Sequence, residues 1–342
     1  MARYIVVRTD RIGDLILSLP VAEAIKESHP GAEVYYVTSP RTSEIARACP
    51  YVDGVIEYDE TSGGIRQVLK LARAVKSLKA ETVLILRPTF RVAVALVLAG
   101  VRRRVGTAYR LYSFLFNRPV KEHRKFAEQH EAEYNLSCVR VVLDLKKRSH
   151  TPVIGVDESA ESFARDAIDQ RGLQHKGFVI VHPGSGGSAR NLTLRSFAKL
   201  ADMVESEFAL RVLVTAGEDE IPLVDEMDNH RSGESLRLTG IPRLLDLAAV
   251  IAQAKLFVSG STGPMHLAAA MGTPTLSFFS PVRSCSPRRW GPIGGTASIV
   301  MPPVPECPTC KGDKCAYFDC MEMIEESRMA EALRAVLTAG PR

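Results

Sequence analysis

Short runs of β-branched and aromatic residues alternate with amphipathic stretches along most of the chain. RYIVV (3–7), AEVYYVT (32–38), GVIEY (54–58) and TVLILR (82–87) read as four successive strands. Between them, the stretch from Leu15 carries apolar residues near a period of about 3.6, with Pro20 placed to bend it, and TSEIARAC predicts a short helix. Residues 65–79 set Ile65, Val68, Leu69, Ala72, Val75 and Leu78 on one helical face, while VAVALVLAGV (92–101) reads as a buried helix. The strands are nearly continuous apolar runs, as expected where crossover helices cover both faces, so the pattern predicts a parallel α/β sheet. Residues 110–150 are less regular, with a helix predicted over 128–145 that closes a first domain. KKRSHTPVIGVD (146–157) lacks helical periodicity, and a boundary is expected between about 150 and 172.

The alternation then restarts. FVIVH (178–182), RVLVTA (211–216), SLRLTG (235–240), KLFVSG (255–260) and TPTLSFF (273–279) read as strands. FAKLADMVESEF, with Thr193 as its N-cap, a polar segment near 219–229, PRLLDLAAVIAQA (242–254) and GPMHLAAAM read as helices. A closing helical segment within 321–340 has Met321, Ile324, Met329, Leu333, Val336 and Leu337 as its apolar positions. Two successive parallel α/β domains, 1–160 and 172–325, are the economical reading. Ligands on such sheets sit beyond the carboxyl ends of the strands, so two such edges facing each other would form a cleft.

Length agrees with this count: 342 residues correspond to two domains at ~150 residues each. An apolar fraction of 46% with 24% charged residues argues against a disordered chain, a collagen or a small cysteine-stapled fold. Lysine plus arginine exceeds aspartate plus glutamate by 44 to 39, a mild excess from which no nucleic-acid partner is expected. Charges at Arg8, Asp10, Arg11 and Asp14 interrupt the amino-terminal strand as no signal peptide would allow, and no apolar run reaches the ~18 residues of a spanning helix. A cytoplasmic protein is expected, with peripheral membrane contact left open.

Three strand-to-helix loops carry candidate chemistry. In RTDRIGD (8–14), Gly13 permits a tight turn, and Asp14 either caps a helix or accepts a proton from a hydroxyl. Arg8 and Arg11 are either phosphate ligands or solvated surface groups. In HPGSGGSAR (182–190), Ser185, Gly186, Gly187 and Ser188 either form a structural turn or present amides and hydroxyls to a phosphate, with Arg190 adding a fork of donors. Neither a P-loop nor a GxGxxG fingerprint is present. In SGSTGPMH (259–266), Ser261 or Thr262 can cap a helix whose free amides favour a diphosphate, and His266 either donates to a phosphate oxygen or is a satisfied, partly buried histidine.

Four of the seven cysteines cluster as CPTCKGDKCAYFDC. Cys307, Cys310, Cys315 and Cys320 are consistent with a structural zinc site, with disulfide or redox pairs, or with free thiols. Residues 281–306 read as a long loop with Arg283, Arg288, Arg289 and Trp290. Region 100–125 is basic through Arg102, Arg103, Arg104, Arg110, Arg118, Lys121, His123, Arg124 and Lys125. It is either a solvated face or a surface for phosphorylated lipid.

RTDRIGDLILSLPVAEAIKESHP, VHPGSGGSARNLTLRSFAKLA and FVSGSTGPMHLAAAMGTPTLSFFSP, in this order, resemble the glycosyltransferase family 9 heptosyltransferases. The resemblance implies a GT-B fold, two Rossmann-like domains flanking a cleft. It implies inverting transfer of heptose from ADP-heptose to the inner core of lipopolysaccharide, with no cofactor or metal required. The first domain would receive a lipid-linked phosphorylated saccharide at the inner membrane surface, and the second would hold the nucleotide-sugar. Asp14 matches the family's base in its Gly-Asp pair. Arg190 stands where a lysine commonly helps hold the diphosphate, and Glu220, or else Glu218, resembles the acidic residue on the ribose. Thr262, Gly263, Met265 and His266 match a D-[ST]-G-x-x-H segment in which Ser261 replaces the aspartate, removing a charge near the donor sugar. The last helix is expected to pack back on the first domain, as in many GT-B proteins. Alternatives are another inverting nucleotide-sugar transferase of this fold, a nucleotide-sensing scaffold without turnover, and a nucleic-acid binder built on the cysteine cluster, against which stand its spacing and the 6% aromatic content.

Overall fold

The computed structural model describes residues 2–147, 150–187 and 189–338. The chain separates into two units, Met1–Lys125 with Gln129–Gly155, and Phe126–Glu128 with Val156–Arg342. In the first, β1 (Arg3–Val7), β2 (Glu33–Thr38), β3 (Gly54–Glu57), β4 (Thr82–Ile85), β5 (Arg103–Thr107) and β6 (Arg118–Val120) form one sheet in the order β3-β2-β1-β4-β5-β6. Every pairing is parallel, and Val7 lies opposite both Val37 and Ile85. One core joins Ile5, Val7, Val83 and Ile85 to Val68, Leu71 and Val75 of helix Ile65–Ser77 and to Val92 and Leu96 of helix Phe90–Leu98.

The second unit repeats the plan. β7 (Phe178–His182), β8 (Arg211–Ala216), β9 (Leu236–Thr239), β10 (Leu256–Gly260), β11 (Thr275–Phe278) and β12 (Ala297–Val300) run parallel in the order β12-β11-β10-β7-β8-β9. Thr193 caps helix Leu194–Phe208 by accepting from the Ser196 amide at 3.2 Å, and Phe197, Leu200 and Val204 of that helix lie in the core with Val179, Val212, Val258 and Phe278. Counted within each unit, both sheets follow the strand order 3-2-1-4-5-6. The order reverses between the first and fourth strands, β1 and β4 in one unit and β7 and β10 in the other. There the loops diverge to opposite faces and leave a crevice at the carboxyl ends.

Several elements depart from the pattern reading. The segment around Pro20 is two helices, Ile12–Ile16 and Pro20–Ser28, with the proline at the start of the second, where its missing N–H has no cost. Strand β5 lies in a basic stretch to which the pattern assigns no element, β6 in the less regular segment 110–150, and β12 in the segment that reads as a long loop. Charges mask the first two: Arg103, Arg104 and Arg118 interrupt the apolar runs, and β6 is an edge strand that tolerates Pro119. The division falls at Gly155–Val156, and helix Glu158–Asp169, capped by Asp157, packs on helix Leu244–Gln253 of the second unit. The expected return of the last helix to the first domain is not what its apolar face does. Met329, Leu333 and Val336 of Glu326–Thr338 lie in the second unit's core, and the helix packs on β11 and β12. Residues 339 and 340 of the expected helix lie outside the described residues. Among the described residues no helix is long and apolar enough to cross a membrane.

Candidate active site

In the first unit the loop leaving β1 enters the helix Ile12–Ile16. Asp14 does not cap this helix. It lies within the first turn, half-buried, and its Oδ1 accepts from Nη2 of Arg8. Arg8 is neither a surface group nor a free phosphate ligand. It is 3% exposed, and its Nε donates to Asp10 Oδ1 at 2.8 Å. Its Nη1 donates to Glu131 Oε1 at 3.1 Å and to Asn135 Oδ1 at 3.2 Å. Every nitrogen of the guanidinium is thereby engaged, as a buried charge requires. Burial opposes the charge on Arg8, but Asp10, Asp14 and Glu131 outweigh it and raise its pKa.

Asp10 shows the reverse balance. Burial, aided by the nearby Asp14 charge, lifts its pKa from 3.8 to about 6 against the pull of Arg8. The folded state therefore holds this proton more tightly than the unfolded chain. With respect to this group, stability is highest below the unfolded pKa near 4 and falls as pH rises through about 6, by on the order of 1–3 kcal/mol. Denaturant titrations at pH 4 and pH 7 are expected to show that decline in the first unit, and Asp10→Asn to flatten it. A decline that persists in the variant would assign the effect to another group.

The same cluster reaches a cavity of about 250 Å³ beyond the carboxyl ends of β4, β5 and β6, lined in part by Leu86, Thr107, His123, Arg124 and Lys125. Arg124 Nη1 donates to Glu131 Oε1 at 2.5 Å, so the cavity wall and Asp14 are linked through Glu131 and Arg8. Asp10, Glu131 and Asn135 were not singled out in the sequence. Glu131 and Asn135 sit on one face of helix Glu131–Arg140, a placement that only the closed sheet creates.

In the second unit both glycine-rich loops leave the adjacent strands β7 and β10 at the point where strand order reverses. Asn191 joins them. Its Nδ2 donates to Pro183 O at 2.9 Å, and its Oδ1 would lie 2.0 Å from a Cβ at Gly260, so only glycine admits the amide there. Ser185 is half-buried, Gly186 and Gly187 are exposed, and Ser188 lies outside the described residues. Gly187 adopts φ +69°, and its amide donates to Ser185 Oγ at 3.3 Å.

Glu220 stands beside this loop. Its Oε2 accepts from Gly217 N at 3.0 Å and lies 3.6 Å from Nε2 of the buried His182. A Cβ at Gly184 would meet the Glu220 carboxylate at 2.2 Å. Burial holds the His182 pKa below its ordinary value, and Thr215 Oγ1 sits 3.1 Å from its Nδ1. Glu218 is the more distant carboxylate, near Gly240.

Thr262 occupies the N-cap position of helix Gly263–Ala270, yet its hydroxyl caps nothing: Thr262 Oγ1 is buried and has no hydrogen-bond partner. With Pro264 in the first turn, the helix start presents the amides of Gly263 and Met265 beside that hydroxyl. Ser261 and Gly263 are half-buried and His266 is buried. The Met265 side chain is fully buried, so only its main chain can serve a ligand.

Arg190 is turned to the cysteine-rich segment. Its Nη1 lies 2.8 Å from Asp319 Oδ2, its Nε donates to Cys310 Sγ at 3.4 Å, and its guanidinium stacks 4.6 Å from the Phe318 ring centre. That hydrogen bond lowers the Cys310 pKa, whereas burial, together with the neighbouring acidic and thiol groups, raises those of Cys307 and Cys320. All four cysteines of the cluster are free and line one small cavity. Among the described residues no group of three or more His, Cys, Asp or Glu side chains is gathered to hold a metal ion. The zinc expectation therefore lacks a ligand set, and Cys310 is engaged by Arg190 instead.

Comparison with known proteins agrees with this architecture. The family model for glycosyltransferase family 9 (heptosyltransferase) matches residues 68–318. A Haemophilus influenzae protein bearing a general glycosyltransferase name is 30% identical over 303 residues, 86% of this chain and 86% of that protein. Lipopolysaccharide heptosyltransferase 3 of Escherichia coli is 23% identical over 288 residues, 81% of this chain and 82% of its own. A glycosyl transferase family 9 structure from Veillonella parvula superposes with a TM-score of 0.87 at 20% identity, covering 98% of this chain and 97% of that one. The fold is thus GT-B-like, a pair of parallel α/β units.

Proposed function

Since the chain belongs to glycosyltransferase family 9, the heptosyltransferase family, we propose that it is an inverting enzyme that moves heptose from ADP-heptose to the inner core of lipopolysaccharide. The second unit holds the nucleotide-sugar and the first receives a lipid-linked phosphorylated saccharide at the cytoplasmic face of the inner membrane. One observation carries the reading. The unpartnered Thr262 hydroxyl at the start of helix Gly263–Ala270 and the Ser185–Gly187 turn follow the paired strands β10 and β7, at the switch point of a six-stranded sheet.

In this scheme the diphosphate lies against the amides of Gly186, Gly187 and Gly263 and the hydroxyls of Ser185 and Thr262. Glu220 accepts from the ribose hydroxyls. Arg190 is already engaged by Asp319 and Cys310, so a diphosphate there competes with Asp319. The acceptor's phosphorylated part occupies the Arg124-walled cavity, and its reacting sugar extends from there to Asp14. Its hydroxyl oxygen attacks the anomeric carbon on the face opposite the phosphate and gives its proton to Asp14. The bond from that carbon to the phosphate oxygen breaks, and ADP departs with the electron pair. Fixed amides and hydroxyls aimed at the departing oxygens stabilise the charge that develops there.

Ser261 favours a second reading within the same chemistry. A neutral, half-buried serine where the family carries aspartate alters the ground on which a donor sugar is recognised, so the donor would be a different nucleotide-sugar. A screen of ADP- and UDP-linked sugars by calorimetry, followed by product analysis on phosphorylated lipid acceptors, decides between them. ADP-heptose is expected to bind most tightly and to yield an inverted linkage. Equal or tighter binding of UDP-sugars would sink the ADP-heptose assignment.

A further inference from the structure

We propose that the turn Tyr109–Phe116 of the first unit is a bilayer-docking surface, with Leu111 and Phe114 entering the lipid and neighbouring cations meeting anionic headgroups. This deepens the reading of a lipid-linked acceptor and rests on it. Leu111 is 100% exposed and Phe114 79% exposed, an unusual state for two large apolar side chains three residues apart.

The turn is built to keep them out. The Tyr112 hydroxyl donates to Pro88 O at 2.8 Å, and its ring meets Phe90 and Phe116 edge-on. Phe116 is buried in the space where a side chain at Gly106 would stand: a Cβ there would come within 2.7 Å of its ring. Ser113 Oγ donates to Thr107 O at 2.6 Å and accepts from Arg110 N at 2.9 Å, and Ser113 N donates to Arg110 O at 2.9 Å. Inward anchors at Tyr112 and Phe116 therefore alternate with outward tips at Leu111 and Phe114. Phe90, 56% exposed and in ring contact with Tyr112, extends the apolar surface.

Charge identifies the occupant. Residues 82–121 contain eight lysines and arginines and not one aspartate or glutamate. Arg102, Arg110, Arg118 and Lys121 are exposed. Apolar tips in an acid-free segment whose exposed cations include Arg110 of the turn itself are what an anionic interface recognises. Tyr109 and Arg110 of the same turn also line the cavity assigned to the acceptor. A docked turn would bring that cavity to the level at which a lipid-linked saccharide leaves the bilayer.

The test uses the full chain and vesicles of equal parts phosphatidylglycerol and phosphatidylcholine, with pure phosphatidylcholine as the control and neither donor nor acceptor present. Co-sedimentation is expected with the anionic vesicles alone, to weaken with salt, and to drop at least about tenfold in the Leu111→Ser, Phe114→Ser double variant. That variant is expected to keep its circular dichroism spectrum and to transfer normally to a delipidated, water-soluble acceptor. Absence of vesicle binding, or binding that the double variant retains, would overturn the proposal. So would self-association of the wild type that the variant abolishes, since the surface would then belong to a second copy. Because the vesicle arm requires no turnover, it fails or succeeds independently of the transferase reading.

Discussion

Asp14→Asn is expected to lower turnover by about 10²–10⁴-fold, the span typical for loss of a general base, while leaving donor affinity nearly unchanged. The substitution is close to isosteric. Asparagine Oδ1 can still accept from Arg8, so the loop after β1 keeps its geometry and only the proton acceptor is lost. The nucleotide-sugar is assigned to the other unit, which is why binding and turnover should separate. Calorimetry with ADP-heptose and steady-state transfer on one preparation measure the two quantities. Asp10 provides the internal control, because it shares Arg8 with Asp14 and its pKa of about 6 lies in a range suited to proton transfer. If Asp10→Asn abolished transfer and Asp14→Asn did not, the base would have been assigned to the wrong carboxylate.

Arg8→Met should cost the first unit about 3–5 kcal/mol, the usual penalty for removing one member of a buried ionic cluster. The methionine fills much of the space, so the loss is electrostatic rather than a cavity. Asp10, Asp14 and Glu131 would be left around a site with no cation at its centre, and Glu131 itself is 0% exposed. Urea unfolding followed by a probe in the first unit reads the change, and the second unit's transition should stay in place. Arg8→Lys should recover only part of the loss. One ammonium has three donors and no planar fork, whereas Arg8 serves four acceptors in three directions. Adding Asp10→Asn to Arg8→Met should recover part of the loss by discharging a largely buried carboxylate that is ion-paired with Arg8. A loss below about 1 kcal/mol for Arg8→Met would mean that the cluster is solvated and not a buried network.

These two substitutions also mark how far the sequence could be read. Asp14 was legible as a candidate, because a glycine and an acidic residue after a β-branched strand form a recognisable junction. Its partner was not. An arginine at the end of a strand is ordinarily a surface group. What buries this one is Glu131 and Asn135, 123 and 127 residues away in the chain. The amide-rich loops were legible as candidate anion sites from Gly186, Gly187 and Gly263. The Asn191 amide that ties them together through Pro183 and Gly260 was not, because its meaning depends on β7 and β10 lying side by side. Arg190 shows the opposite case: the residue type suggested a phosphate ligand, and the fold gave it Asp319 and Cys310 as partners.

By itself, the order of residues determined the α/β class, the duplication of the plan and the positions of the chemical loops. Local periodicity, β-branched runs and glycine placement act over a few residues and need no knowledge of the rest of the chain. Tertiary structure alone decided which carboxylates surround Arg8, that the last helix completes the second core, and that Leu111 and Phe114 stay in solvent while Tyr112 and Phe116 turn inward. Each of those outcomes depends on desolvation. The environment that sets a charge's partner or a side chain's exposure is assembled from distant segments, and it does not exist until the sheets have closed.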